Sequence, residues 1–103
     1  MLNLEHIEGA AGRIKSAIYE SPLVHSKMLS DLTGHAIYLK FENLQMTGSF
    51  KERGVLNHIL TMTDDEKRRG VMAASAGNHG QGIAYMPFDA IFLLKSGCRA
   101  RRR

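Results

Sequence analysis

Thr47-Gly48-Ser49-Phe50-Lys51-Glu52-Arg53-Gly54 is the stretch whose reading decides the fold, because it puts a polar loop directly before an apolar-periodic segment. Ser49 with Glu52 three residues later has the spacing of a capping box, which predicts Ser49 as N-cap and Lys51 near the second helical position. A lysine there faces the positive end of the helix dipole, which costs roughly 0.3 to 1 kcal/mol at an exposed site. That same field favours the free amine, the form that attacks a carbonyl. A nucleophilic lysine and an ordinary solvated surface lysine both satisfy the octapeptide. The helix that follows should bury Phe50, Val55, Ile59 and Met62 and end near Thr63.

Upstream, Leu4, Ile7, Ala11, Ile14 and Ile18 recur at spacings of three and four, predicting an amphipathic opening helix capped by Asn3. Ser21-Pro22 forces extended backbone. Ser26 caps a short helix through Leu29 and Leu32 that Gly34 closes. Ala36 to Phe41 alternates and is rich in strand formers, and Glu42 to Gly48 is a loop. Downstream, Thr63 and Glu66 repeat the capping-box spacing, with Gly70 as the stop. Val71-Met72-Ala73-Ala74 suits a buried parallel strand. Ser75-Ala76-Gly77-Asn78-His79-Gly80-Gln81-Gly82 then turns into a helix beginning near His79. A glycine-bearing turn of this kind points several N–H groups at one place, where phosphate or carboxylate can sit. An ordinary βα connection fits it equally well.

The chain has 103 residues and a formal charge of +4. Residues 90–103 hold five basic and no acidic side chains, whereas residues 1–89 hold 9 basic and 10 acidic ones. The basicity is thus a terminal property, and Arg99 to Arg103 is the segment on which an alternative reading rests, a module binding nucleic acid or an acidic protein. That run has no aromatic platform and matches a solvated tail. Cys98 is alone, so no intrachain disulfide framework is expected. Glu5 and Glu8 interrupt the N-terminal apolar residues, no run approaches membrane-spanning length, and a cytoplasmic protein is expected. No metal site is expected.

Taken together, Glu42-Asn43-Leu44-Gln45-Met46-Thr47-Gly48-Ser49-Phe50-Lys51 and Ala74-Ser75-Ala76-Gly77-Asn78-His79-Gly80-Gln81-Gly82 resemble the serine/threonine dehydratases, pyridoxal-phosphate enzymes of fold type II. The likeness covers most of residues 4–86. It implies an α/β fold, an incomplete N-terminal part of the three-layer αβα, tryptophan synthase beta-like architecture. Residues 1–86 would span part of both domains of that fold. Residues 87–103 would be an irregular basic tail of the kind an internal deletion or a frameshift leaves, since Met86-Pro87 follows the last matching helix at once.

The resemblance also implies roles. Lys51 would bind the cofactor, pyridoxal 5′-phosphate, and move the Cα proton. Phe50 would pack on its ring, and Asn78 would bond the ring hydroxyl. Ser75, Ala76, Gly77, Asn78 and His79 would hold the substrate carboxylate. The implied reaction takes threonine or serine to a 2-oxo acid and ammonia, in a protein that is usually homo-oligomeric. Ala76, where serine racemases usually carry a second serine, and Asn78-His79, where the cysteine synthase branch has Asn-Thr, both favour elimination. No glycine-rich run to cradle the cofactor phosphate is present in these residues, so weak cofactor retention and no independent activity are expected. A companion role, with this chain docked on another polypeptide that supplies the remainder, fits the same observation.

Overall fold

The computed structural model describes residues 1–75, 77–86 and 91–94. The basic run at 99–103 and most of the expected tail lie outside the described residues. The elements come in the order α1 (Leu4–Ile14), β1 (Leu23–His25), α2 (Lys27–Thr33), β2 (Tyr38–Lys40), a single 3₁₀ turn (Glu42–Leu44), α3 (Lys51–Thr61), α4 (Asp64–Arg69), β3 (Val71–Ala74), α5 (Asn78–Tyr85) and β4 (Ile91–Leu94). The α/β expectation is met, and Ile91–Leu94, within the segment expected as an irregular tail, forms β4.

Capping set most of the boundaries as the sequence predicts. The Asn3 Oδ1 accepts from the His6 amide at 3.0 Å, and the Asn3 amide donates to His6 Nδ1 at 3.3 Å, a reciprocal pair that starts α1. Asn3→Ala is expected to cost about 1 kcal/mol of α1 stability, read as a lower urea midpoint of the helical circular-dichroism signal. An unchanged midpoint contradicts it. Ser26 accepts from the Leu29 amide, and Gly34 closes α2 at φ 72°. Thr63 and Glu66 form the complete capping box of α4, and Gly70 follows at φ 79°. Glycine tolerates both positive angles without the Cβ clash other residues meet.

β1 and β2 pair antiparallel, with Val24 opposite Leu39, while β3 and β4 pair parallel in the register Val71 to Ile91 through Ala74 to Leu94. The core lies where α1 ends and α3, β3 and α5 meet, and it is built from Ile14, Val55, Leu56, Ala73, Ile83 and Met86, with Ile18, Ile59 and Val71 partly buried against it. Three expectations about burial fail, one of them at β3, where Ala73 is buried but Met72 is 66% exposed. Of the apolar face of α1, Ile14 is buried but Leu4 and Ile7 stay exposed, because the helix meets α3 only near its C-terminal end, where Arg13 Nε donates to Asn57 Oδ1 at 2.9 Å. Phe50 is 61% exposed rather than in the core, because it precedes α3 and Leu56 takes the buried position.

Candidate active site

The N-terminus of α3 is built from a tight loop. Gly48 donates to the Gln45 carbonyl at 2.8 Å and adopts φ 70°, and nothing stands within 4 Å of where its Cβ would be, so backbone angle alone calls for glycine there. Phe50 is the N-cap, already in right-handed helical geometry and without a side-chain cap bond, and Lys51 is the first helical residue. The expected Ser49 capping box is therefore absent. Glu52 turns its carboxylate back past Ser49 to Thr47, accepting from the Thr47 amide at 2.8 Å and the Thr47 hydroxyl at 2.9 Å. Its residue is only 1% exposed, so those bonds are what offset taking the carboxylate out of water. Ser49 Oγ is buried and without a hydrogen-bond partner among the described residues.

A second carboxylate ties the same turn down from the other side, and the sequence reading assigned it no role. Glu42 accepts from Arg53 Nε at 2.7 Å and from the other arm of the Arg53 guanidinium at 2.9 Å. It also accepts from Ser21 Oγ at 2.7 Å and from the Gln45 side-chain amide at 3.4 Å. The Arg53 hydrogen bonds hold its carboxyl down at about 2 against the cost of burial, with smaller help from the Ser21 bond and the charges of Arg53 and Lys40. Gln45 donates to the Tyr19 carbonyl at 2.7 Å and Lys40 to the Ser21 carbonyl at 2.5 Å, which fastens the extended segment before β1 to the loop before α3. A Glu-Arg pair separated by eleven positions has no local spacing signature, so only its position beside the lysine motif hinted at it.

The amine of Lys51 is exposed and lies 5.2 Å from the centroid of the Phe50 ring, a cation–π contact worth about 0.5 to 1 kcal/mol at the surface. Lysine, aromatic face and helix N-terminus thus occupy one corner.

At the other helix, Ser75 Oγ accepts from the Gly80 amide at 3.1 Å and from the Gly77 amide at 3.3 Å. A hydroxyl has two lone pairs and one proton, so with both lone pairs engaged the Ser75 hydroxyl still has its proton to donate. Asn78 and His79 are exposed, and their backbone amides are the first two of α5, the positions a helix leaves without an internal acceptor. Gly77 stands just outside as the N-cap, and Ala76 lies outside the described residues.

α5 crosses close against α3 at a glycine. A Cβ on Gly82 would meet Val55 Cγ2 at 3.2 Å and come within 3.8 Å of the Glu52 amide nitrogen. Gly82 therefore sits against the first turn of α3, and Asn78 begins α5 four residues before it. His79 faces elsewhere: with His58, Ile59 and Ile83 it lines a cavity of about 180 Å³ further along α3. A free amine, an open aromatic face and an exposed carboxamide with adjacent N–H groups suit a planar aldehyde that also carries a hydroxyl.

Comparison with known proteins gives the corner its family. Residues 14–86 match the model of the pyridoxal-phosphate dependent enzymes. The chain belongs to that family. Its members use pyridoxal phosphate, and threonine dehydratases are among the relatives of this chain. The chain is 51% identical over 84 residues to the L-threonine ammonia-lyase of Thermotoga maritima, covering 82% of this chain and 21% of that protein. It is 48% identical over 85 residues to the catabolic L-threonine dehydratase of Staphylococcus aureus, covering 82% of this chain and 25% of the relative. The chain thus spans about a fifth to a quarter of the length of the curated relatives it matches.

Among solved structures it resembles a threonine deaminase from T.th., with a TM-score of 0.66, 42% identity, and 82% of this chain and 30% of that chain covered. It also resembles the serine racemase of Dictyostelium discoideum, with a TM-score of 0.73, 40% identity, and 82% and 28% covered. The fold is therefore the N-terminal part of pyridoxal-phosphate fold type II, as the motifs implied. Among the described residues no helix is long and apolar enough to cross a membrane.

Proposed function

We propose that this chain supplies the lysine-bearing and carboxylate-binding segment of a pyridoxal-phosphate dehydratase that converts threonine or serine to a 2-oxo acid and ammonia. The observation that carries the reading is the exposed Lys51 amine beside the Phe50 face in the first turn of α3, the helix that α5 packs against at Gly82. Lys51 would hold the cofactor at its aldehyde and would move the proton at Cα of the substrate. Phe50 packs on the ring, and Asn78 bonds its hydroxyl. The Ser75 hydroxyl donates to the substrate carboxylate, and the backbone at Gly77, Asn78 and His79 completes that anion site with the positive end of α5 behind it. When bound, the cofactor supplies the electron sink that lets the Cα proton leave. Homo-oligomeric assembly and a cytoplasmic setting belong to the same reading.

These 103 residues carry no glycine-rich phosphate cradle, so cofactor retention should be weak and ammonia release from threonine should need the rest of the family fold. The test is covalent. The purified chain is mixed with pyridoxal phosphate, reduced with borohydride and digested, and its peptides are weighed. Faster labelling at Lys51 than at Lys15 or Lys27 is expected in the wild type, and Lys51→Ala should lose the fast phase. Labelling spread evenly over the exposed lysines sinks the proposal.

A further inference from the structure

The two residues that follow Lys51 in α3 are each held by a partner in the preceding segment. Glu52 grips Thr47 through two bonds to one oxygen, and Arg53 forks onto Glu42, which Ser21 and Gln45 also engage. Both grips are shielded: Glu52 is 1% exposed, and the Glu42 side chain is 15% exposed. At α4 the corresponding grip of Glu66 on Thr63 closes within three residues, whereas Glu52 and Arg53 reach back five and eleven residues. The grips join α3 to the loop at 42–47 and, through Ser21 and Gln45, to the extended segment before β1. A lysine has four rotatable side-chain bonds, so the direction from which its amine starts is set by the backbone of this single turn.

We infer that Glu42, Arg53 and Glu52 are positioning residues that fix the first turn of α3 and so aim the Lys51 amine along the Phe50 face. The inference rests on the reading of Lys51 as the amine that takes the cofactor aldehyde. Small displacements of a reacting group cost rate steeply even when binding survives, so the loss should appear in reactivity. Arg53→Lys keeps the charge but removes the planar fork, and Glu42→Gln keeps the shape but removes the ionised acceptor. Glu52→Gln is the conservative control, since its carbonyl oxygen still accepts from Thr47, whereas Glu52→Ala removes the acceptor.

The experiment measures the rate of reductive labelling by pyridoxal phosphate at Lys51 relative to Lys15 and Lys27 within the same molecule. In this reaction the lysine nitrogen bonds the aldehyde carbon with loss of water, and borohydride delivers hydride to that carbon to leave a secondary amine. Circular dichroism first selects the variants that keep wild-type helix content. Arg53→Lys and Glu42→Gln should slow Lys51 labelling about tenfold, with Lys15 and Lys27 unchanged. Glu52→Gln should label near the wild-type rate and Glu52→Ala should not. Fast Lys51 labelling that persists in folded Arg53→Lys and Glu42→Gln overturns this inference alone. Wild-type labelling with no preference for Lys51 overturns the functional reading and this inference with it.

Discussion

Gly82→Val is expected to unfold most of the chain at 25 °C, and the cause is the crossing of α5 over α3. A single Cβ at this position already meets Val55 Cγ2 at 3.2 Å, and Val55 is itself a core residue only 5% exposed, with Leu56, Ala73, Ile83 and Met86 in the same cluster. Two further methyl groups have nowhere to go without separating the helices. Overpacking of this kind costs about 1 to 3 kcal/mol and more where backbone must move. Against it stands the helix-propensity gain on leaving glycine, at most about 1 kcal/mol and smaller for a β-branched residue. The clash wins for valine. For Gly82→Ala the two effects nearly cancel, so alanine should melt close to the wild type while valine loses the cooperative transition. A valine variant with a wild-type denaturation midpoint shows that α5 does not pack here. The same substitution presses on the first turn of α3 that carries Lys51, so whatever folded Gly82→Val remains should also lose preferential Lys51 labelling.

The second large effect is acid destabilisation through Glu42. Its carboxyl is held at about 2 against an ordinary value of 4.5, first by the Arg53 hydrogen bonds, with burial opposing and Ser21 assisting. Because the folded value lies below the unfolded one, the stabilisation is fully present above about 4.5 and is lost as pH falls through about 2. The span corresponds to about 3 kcal/mol. The Arg53 side chain is 34% exposed, so solvent screening reduces the expectation to about 2 kcal/mol. Unfolding free energy measured by urea at pH 6 and again near pH 2.5 should fall by most of that amount in the wild type. Glu42→Gln should be less stable at pH 6 and show a shallower decline on acidification. A wild-type curve parallel to that of Glu42→Gln over this window removes Glu42 as its source.

Both effects sit on contacts between distant parts of the chain, and that is where the reading from sequence stopped. Thr63 with Glu66 and Ser49 with Glu52 have identical spacing, yet only the first makes a capping box. At 63 the helix begins where the cap predicts. At 49 the loop folds so that Glu52 meets Thr47, and Phe50 becomes the first residue with helical angles. Phe50 likewise looks like a core aromatic in one dimension and is exposed beside Lys51 in three. The apolar stripe of α1 was legible, but its burial depends on a neighbour that reaches only Ile14 and Ile18.

What these residues determined by themselves was local or lineal. The caps at Asn3, Ser26 and Thr63, the stops at Gly34 and Gly70, and the strand at Val71–Ala74 follow from bonds and angles within about one turn, which neighbouring residues impose on each other. The pair of motifs around Lys51 and Asn78 carried the family. The tertiary structure alone decided that Glu42 grips Arg53 and that Gly82 admits α5 against the first turn of α3. Those contacts join positions separated by many residues, and no spacing rule reaches across such a gap: only the packing of Val55, Leu56 and Ile83 into one core determines which side chains meet.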